Sequence, residues 1–190
     1  MGTIKSQRSS GGRLHLTNNY ETSQALVFVI PLLESIDLAQ CAKVNSKWRR
    51  IAIEPEYWEH CHVRDQKLNS KKLRSILPYC ARTRALTLTG VTLVLPERHV
   101  ISAAPRTAGA LESALADILQ QTGENLEYLK IANNDESLTD RCLWLASVHN
   151  HNLKHVVFSS DRFAVTSTVL WSLGCGCRHI ETLILPPSTG

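Results

Sequence analysis

The chain has 190 residues, 43% hydrophobic and 20% charged, an ordinary composition for a soluble protein of one medium or two small domains. No apolar run approaches the roughly 18 residues of a membrane span, and the N-terminus lacks the apolar core of a secretory signal. The net charge of +4 is mild and does not by itself indicate a nucleic-acid partner.

The N-terminal stretch and the cysteines indicate where the folded part begins and which compartment it occupies. Residues 1–23 are rich in Ser, Gly, Asn and Thr and predict a flexible tail. Six cysteines are scattered along the chain, mostly at apolar or helical positions, and nothing marks the chain as secreted. We therefore expect reduced thiols and a location in the cytoplasm, the nucleus or both.

Residues 26–58 contain a predicted helix with a clear start. Asp37 stands at an N-cap position and Gln40 follows three residues later, which is the capping-box arrangement. Apolar residues beyond them cover about half of the helical circumference, wider than the ~100° stripe of a surface helix, so we expect this helix to pack on several neighbours and to end before Pro55. Pro31 lacks an amide donor, so a helix that precedes it should kink or end there.

The same stretch carries a regularly spaced set of residues: Leu33, Asp37, Leu38, Val44, Trp48, Arg49, Tyr57 and Trp58. In these residues the stretch resembles an F-box. The second half of that family's pattern is Leu, three residues, Asp-Leu, then Val, three residues, Trp-Arg, and later Leu-Trp or Tyr-Trp. The first half departs from the pattern: the family's opening Leu-Pro falls on Glu21-Thr22, and its Ile-Phe pair falls on Val29-Ile30.

The second half of the chain carries an internal repeat. A Leu-x-x-Leu-x-Leu pattern occurs at Leu126-x-x-Leu129-x-Ile131, Leu153-x-x-Val156-x-Phe158 and Ile180-x-x-Leu183-x-Leu185. The middle positions 129, 156 and 183 are equally spaced, so the pattern has a fixed period. An earlier copy at 83–88 precedes the first of these by more than one period, and we interpret the surplus near 91–110 as an inserted loop.

This segment looks like leucine-rich repeats, because its period of about 27 residues lies within the roughly 20–29 residues of that family, which has a short strand and a helix in each unit. The resemblances together predict an α/β fold in which a small helical F-box-like unit at 24–66 precedes a short solenoid of parallel strands and helices at 67–190. About four strands are expected. Because each repeat buries its apolar faces only by stacking, and no polar cap follows the fourth predicted strand, we expect an open sheet edge there.

Three clusters of histidine and cysteine could suggest chemistry, and each has a simpler interpretation. They are His149-Asn150-His151, interpreted as a turn, Cys175-Gly176-Cys177-Arg178-His179, interpreted as an inter-repeat turn rather than a zinc site, and His60-Cys61-His62, interpreted as a polar helix end. No phosphate-binding glycine loop and no nucleophile motif is present. The sequence predicts no catalytic site, no metal and no cofactor.

Two sets of residues are predicted to bind partners. Side chains alternate along a strand, so the x positions of the repeat point outward and form a ladder on the inner surface of the solenoid. These candidate substrate-binding residues are Tyr128, Lys130, His155, Val157, Thr182 and Ile184. The F-box resemblance implies a second set for adaptor docking, namely Val29, Ile30, Leu33, Leu38, Val44 and Trp48.

An F-box followed by leucine-rich repeats implies a non-catalytic substrate receptor of an SCF-type ubiquitin ligase. The F-box would dock on the Skp adaptor protein, which is linked to a cullin scaffold, and the repeats would hold a protein substrate. Neither a membrane nor a nucleic acid is an expected partner. Two alternatives remain: a repeat scaffold whose N-terminal helices only cap the solenoid, and an RNA-binding repeat protein, for which only Lys130 would face phosphate directly.

Overall fold

The computed structural model describes residues 25–94, 104–134, 138–160 and 164–186, without the side chains of 104–108. The predicted tail at 1–23 and residues 95–103 of the predicted insertion lie outside this description. Within the described ranges the fold is mixed α/β with a parallel sheet. No helix in these ranges combines the length and the apolarity that a membrane crossing requires.

The N-terminal part of the described chain is helical. Its elements are an α-helical stretch at 25–29, a 3-10 turn at Ile30–Leu32, helix α1 at Ser35–Cys41, helix α2 at Ser46–Ala52 and a 3-10 turn at Pro55–Trp58. The predicted effect of Pro31 is confirmed, because the α-helix stops at 29 and Leu33 is extended. A ring that removes the amide donor and clashes with the preceding turn accounts for this end.

The single helix predicted beyond Asp37 is wrong, because the chain forms two helices there. The side chain of Asn45 accepts hydrogen bonds from the amides of Lys47 (2.9 Å) and Trp48 (3.0 Å), so Asn45 is the N-cap of α2. Asp37 lies in the first turn of α1 rather than at its N-cap. An Asn-Ser pair in the middle of an unusually wide apolar arc is the signal that predicts this break.

The principal sheet has five strands in the described residues, all parallel. They are β1 at His60–Arg64, β3 at Ala85–Thr89, β5 at Tyr128–Ala132, β6 at His155–Ser159 and β7 at Thr182–Ile184, in this spatial order. Two further short strands, β2 at Lys67–Leu68 and β4 at Thr92–Leu93, pair with each other. The five strands of the principal sheet therefore lie side by side in the order in which they occur in the sequence.

The register between strands reproduces the predicted spacing. Leu129 pairs with Val156, and Val156 pairs with Leu183, so equivalent positions of successive repeats lie side by side. Leu86 pairs with Leu129 across the longer predicted interval. The four segments predicted as strands from the repeat are therefore β3, β5, β6 and β7.

Strand β1 corrects the interpretation of residues 60–62 as a polar helix end. Cys61 and Val63 are fully buried, while His60 and His62 alternate with them on the other face. Cys61 pairs with Leu86 of β3, which adds this strand to the sheet ahead of the four predicted ones. The alternation of apolar and polar residues with period two is the sequence feature that predicts a strand here.

The helices that connect the strands lie on one side of the sheet. They are α3 at Ser70–Leu73 with a 3-10 helix at Arg74–Arg82, then α4 at Ala104–Thr122, α5 at Arg141–His149 and α6 at Ser167–Gly176. Residues 104–110, predicted as part of an inserted loop, are helical. Helix α4 has 19 residues against 9 in α5, so it takes up part of the surplus between β3 and β5.

One continuous set of buried apolar side chains runs from the N-terminal helices to α6. Trp58 joins the helical unit to the sheet within this core. Its indole nitrogen donates to the carbonyl of Ala52 (2.8 Å), its own carbonyl accepts from the hydroxyl of Thr83 (2.8 Å), and its ring stacks on Tyr79 at 4.4 Å. These contacts hold α2, the turn before β1 and the 3-10 helix before β3 in one packed unit.

A buried asparagine links consecutive units on the helical side. The amide nitrogen of Asn150 donates to the carbonyls of Leu119 (3.0 Å) and Gly123 (2.7 Å) and to the hydroxyl of Thr122 (3.0 Å). Cys177, which lies one period later, donates in turn to the carbonyl of Asn150 (3.4 Å). The side chains of Asn150 and Cys177 therefore donate to carbonyls at the ends of helices, which would otherwise be buried without a hydrogen-bond donor.

Carboxylates make a second link between units. Glu112 accepts from the amide (2.9 Å) and hydroxyl (2.5 Å) of Thr139, just before α5. Asp140 accepts from the amide (3.0 Å) and hydroxyl (2.9 Å) of Thr166, the N-cap of α6. Each unit thus positions the start of the following helix, and a negative charge at a helix N-terminus adds a favourable interaction with the helix dipole.

Asn150→Ala is expected to lower the free energy of unfolding by about 2 kcal/mol or more, because buried acceptors lose their donor at a cost of about 1–3 kcal/mol each. The matched control is Asn152→Ala in the same turn, since Asn152 is exposed and, among the described residues, donates to the carbonyl of Glu124 alone. Urea denaturation followed by circular dichroism measures both. Equal effects of the two substitutions would contradict the linking role of Asn150.

Candidate functional site

The first turn of the helical unit exposes large apolar side chains. Phe28 is 77% exposed and Leu32 is 82% exposed, and Val27 and Val29 are about half exposed. Within 25–32, which contains this short helix and the 3-10 turn after it, Leu26 and Ile30 are the buried residues, and they lie four residues apart. Exposed apolar side chains grouped on one short element are typical of an interaction surface.

Val44 is a second exposed apolar side chain, in the turn between α1 and α2, with 60% of its surface accessible. A shallow cavity of about 460 Å³ includes both of its chain neighbours, Lys43 and Asn45. Arg49 and Arg50 also line this cavity, and none of its described lining residues is a carboxylate. A positively charged hollow next to an apolar side chain favours a partner with acidic residues.

The structure separates the six residues predicted to dock an adaptor into two groups. Four have accessible or partly accessible side chains: Val29, Leu33, Val44 and Trp48. The other two, Ile30 and Leu38, are at most 2% exposed. Ile30 and Leu38 therefore hold the core of the helical unit, and a partner could touch them only if that core opened.

Three of the most exposed apolar residues of this unit, Val27, Phe28 and Leu32, were not among the predicted docking residues. The F-box pattern does not mark them as docking positions, so the resemblance did not select them. The sequence does contain a sign of this exposure. Almost every position of the short helix before Pro31 is apolar, and one short helix cannot bury all of its faces.

The six predicted substrate-binding residues lie on one face of the sheet in two rows. Strand register places Tyr128 beside His155 and His155 beside Thr182, and the second row is Lys130, Val157 and Ile184. Ile184 is exposed and the others are half-buried. The rings of Tyr128 and His155 lie 6.3 Å apart, so they form one aromatic step of the ladder.

Strand β1 extends the same face with two histidines that the ladder prediction did not include. The rings of His60 and His62 are nearly parallel with their centres 6.4 Å apart. Burial lowers the pKa of His62, and the charge of Arg64 and the proximity of His60 lower it further. In the described part of the chain Nδ1 of His62 is buried without a hydrogen-bond partner. These effects favour the neutral form of His62.

A polar groove of about 610 Å³ lies where the strands begin, and its lining residues largely neutralise one another. Arg84 (2.7 Å) and Lys154 (2.9 Å) both bind the carboxylate of Glu127, and their hydrogen bonds lower the pKa of Glu127. Glu124 adds another negative charge to the lining. A groove of mixed sign does not match the uniform negative charge of a nucleic-acid backbone.

The cysteine-rich segment at 175–179, predicted as an inter-repeat turn, contains the end of α6 and the turn after it, and it has a structural role at Cys177. Its thiol is buried, donates to a backbone carbonyl, and has its pKa raised to about 11 by burial and by the charge of Glu124. Cys175 is exposed. Among the described residues no group of three or more His, Cys, Asp or Glu side chains is arranged to hold a metal ion.

Comparison with known proteins gives one consistent similarity. No protein-family model matches the chain. F-box only protein 41 of Homo sapiens and that of Mus musculus are each 32% identical to it over 165 residues. The match covers 86% of this chain but 19% of each relative, so the chain spans about a fifth of their length. A match of this extent includes both the helical unit and most strands of the sheet. The similarity supports an F-box protein.

Proposed function

We propose that this chain is a non-catalytic substrate receptor of an SCF-type ubiquitin ligase. In this proposal the helical unit docks on the Skp adaptor protein, and through it on a cullin scaffold, while the sheet face binds a protein substrate. The similarity to F-box only protein 41 supports the ligase assignment. The observation that carries the docking step is the set of exposed apolar side chains on a helical unit whose own core is already filled.

The exposed residues supply the apolar part of the docking contact. Val29 and Val44 are the two predicted docking residues that are exposed, and Phe28 and Leu32 add larger side chains. Fully burying one such side chain contributes about 1.5–3 kcal/mol. Leu33 and Trp48, which are half-buried, would contribute their accessible edges, while Ile30 and Leu38 maintain the shape of the unit.

Electrostatics would guide the approach of the adaptor. Lys43, Arg49 and Arg50 surround the cavity beside Val44, and Arg49 is held in place by donating to the carbonyl of Ala42 (3.2 Å). Complementary charge at the rim of an interface mainly raises the association rate and makes it sensitive to salt. The proposed docking surface of the adaptor is therefore acidic with an apolar centre.

Substrate binding is assigned to the ladder on the sheet. We propose that the repeated units are leucine-rich repeats and that the ladder is a contact surface for a protein substrate. It consists of Tyr128, Lys130, His155, Val157, Thr182 and Ile184. An aromatic residue, a basic residue and aliphatic residues side by side suit a protein partner. Holding substrate and adaptor on one chain raises the effective concentration of substrate lysines near the ubiquitin-charged enzyme. This role requires no catalytic residue or cofactor in the chain, and it belongs in the cytoplasm or nucleus.

One observation favours an alternative in which the helical unit only caps the sheet. The hydroxyl of Ser35 in α1 accepts from the amide of His62 (2.8 Å), so the helices cover the outer edge of β1. A repeat scaffold without a ubiquitin role would need this cap and nothing more. A cap alone does not require exposed Phe28, Leu32 and Val44, so we favour the receptor.

Val44→Glu is expected to prevent co-elution with the Skp adaptor protein after co-expression and gel filtration. The substitution places a charge into an apolar contact, while Val44 is too exposed for the change to disturb folding. The control is Val148→Glu on α5, which replaces another exposed valine, 43% accessible, outside the helical unit. If the native chain elutes without the adaptor, or if Val148→Glu is equally damaging, the proposed docking surface is wrong.

Reversing the charge of the cavity is expected to slow docking. Lys43→Glu combined with Arg50→Glu should lower the association rate constant by about tenfold at low ionic strength, and the difference should shrink as salt is added. Lys71→Glu, at an exposed position of α3, serves as the control. Biolayer interferometry with immobilised Skp adaptor measures the rates. An unchanged rate, or a difference that does not depend on salt, would contradict charge guidance by this cavity.

A further inference from the structure

One lysine of the ladder has no counter-charge. Lys130 lies on β5, and the strand register places Thr87 of β3 on one side of it and Val157 of β6 on the other. Its side chain is half-buried, and no described residue forms an ion pair or a hydrogen bond with its amine. Because β5 has a strand on either side, Lys130 has all of its neighbours in the sheet.

Two other basic side chains on the same face already have acidic partners. The guanidinium of Arg64 at the end of β1 lies 3.7 Å from the carboxylate of Glu34, and the imidazole of His155 on β6 lies 3.9 Å from that of Glu181. The positions of β1, β3, β5 and β6 that share this face hold no Asp or Glu. Within the described face, Lys130 therefore carries a positive charge that no carboxylate offsets.

The carboxylate that precedes β5 is held by other cations. Glu127 directly precedes this strand, and it accepts from Arg84 (2.7 Å) and Lys154 (2.9 Å). All three residues line the polar groove where the strands begin. Glu127 is therefore neutralised within that groove and does not serve as a partner for Lys130.

The neighbours of Lys130 suit a segment that brings both a carboxylate and an apolar side chain. Tyr128 lies two residues earlier on the same face, about 6.6 Å along the strand. Its hydroxyl can donate a hydrogen bond to a carboxylate. Val157, beside Lys130, offers a half-buried apolar surface. A charge pair at such a partly water-excluded surface is stronger than one in bulk water.

We propose, on the premise of the receptor role above, that the ladder binds an acidic segment of the protein substrate. A Glu or Asp carboxylate of that segment pairs with Lys130, and an apolar residue next to it packs on Val157. A phosphorylated residue fits less well, because phosphate groups are usually bound by clusters of arginine and the strand neighbours of Lys130 are Thr87 and Val157. A nucleic-acid backbone would require a row of cations rather than one.

Selection from a phage-displayed library of random peptides, with the full chain immobilised, tests this assignment. The selected peptides should be enriched in Glu or Asp next to an apolar residue. Fluorescence polarisation of the labelled peptides then gives the dissociation constant for each variant. Lys130→Met should weaken binding by about tenfold or more, because it removes the charge and keeps the length of the side chain. Lys130→Arg, which keeps the charge, should retain most of the affinity.

The control is Lys71→Met, which removes the same charge from an exposed position of α3 on the helical side of the sheet. Circular dichroism checks that each variant is folded. A library that yields no binding peptide, or peptides without acidic residues, would overturn the proposal. Acidic peptides that Lys130→Met binds as well as the native chain, or that Lys71→Met weakens equally, would also overturn it. So would competition by single-stranded oligouridylate, since that would assign the face to RNA.

Gel filtration with the Skp adaptor protein separates this inference from the ligase role. Lys130→Met should co-elute with the adaptor as the native chain does, because Lys130 lies on the sheet and not on the helical unit. If the adaptor binds but no peptide depends on Lys130, the acidic substrate segment is wrong and docking stands. If peptides depend on Lys130 but the adaptor does not bind, the acidic-segment site stands and the ligase role is wrong.

Discussion

The buried contacts of Trp58 determine how the two halves of the molecule relate. Its indole binds the end of α2, its carbonyl binds Thr83 ahead of β3, and its ring lies on Tyr79. Because these partners come from the helical unit and from the first units of the sheet, the halves share one core and do not move as separate bodies on a flexible linker. A substrate held by the sheet would therefore keep a fixed position relative to whatever binds the helical unit. That geometric constraint is what a receptor acting by proximity requires.

The filled core of the helical unit leaves large apolar side chains exposed at 27–32 and in the turn before α2. Val44 lies between two residues that line the cavity to which Arg49 and Arg50 also belong, which favours an acidic partner.

The repeat was predictable because its apolar positions are set by stacking, and the units that begin at β5 and β6 have the same length. The pattern around Leu129, Val156 and Leu183 therefore gave both the strands and their register. Strand β1 was missed because its apolar residues, Cys61 and Val63, alternate with histidines that suggested a polar end. The docking residues were only partly predictable, because the F-box pattern includes some residues that form the core and others that lie on the surface. Whether Ile30 or Phe28 faces solvent depends on where the short helix ends before Pro31 and on how it packs. Only the tertiary structure determines that packing.

Hydrogen–deuterium exchange of the full chain, with and without saturating Skp adaptor protein, tests the central claim most directly. The receptor account predicts that the adaptor protects amides within 25–33 and 42–50, around the exposed apolar residues and the basic cavity. It also predicts that β5 and β6 remain unchanged, because substrate and adaptor occupy different surfaces. Protection of the strand face by the adaptor, or no protection anywhere, would contradict the account and leave the helical unit as a cap of the sheet.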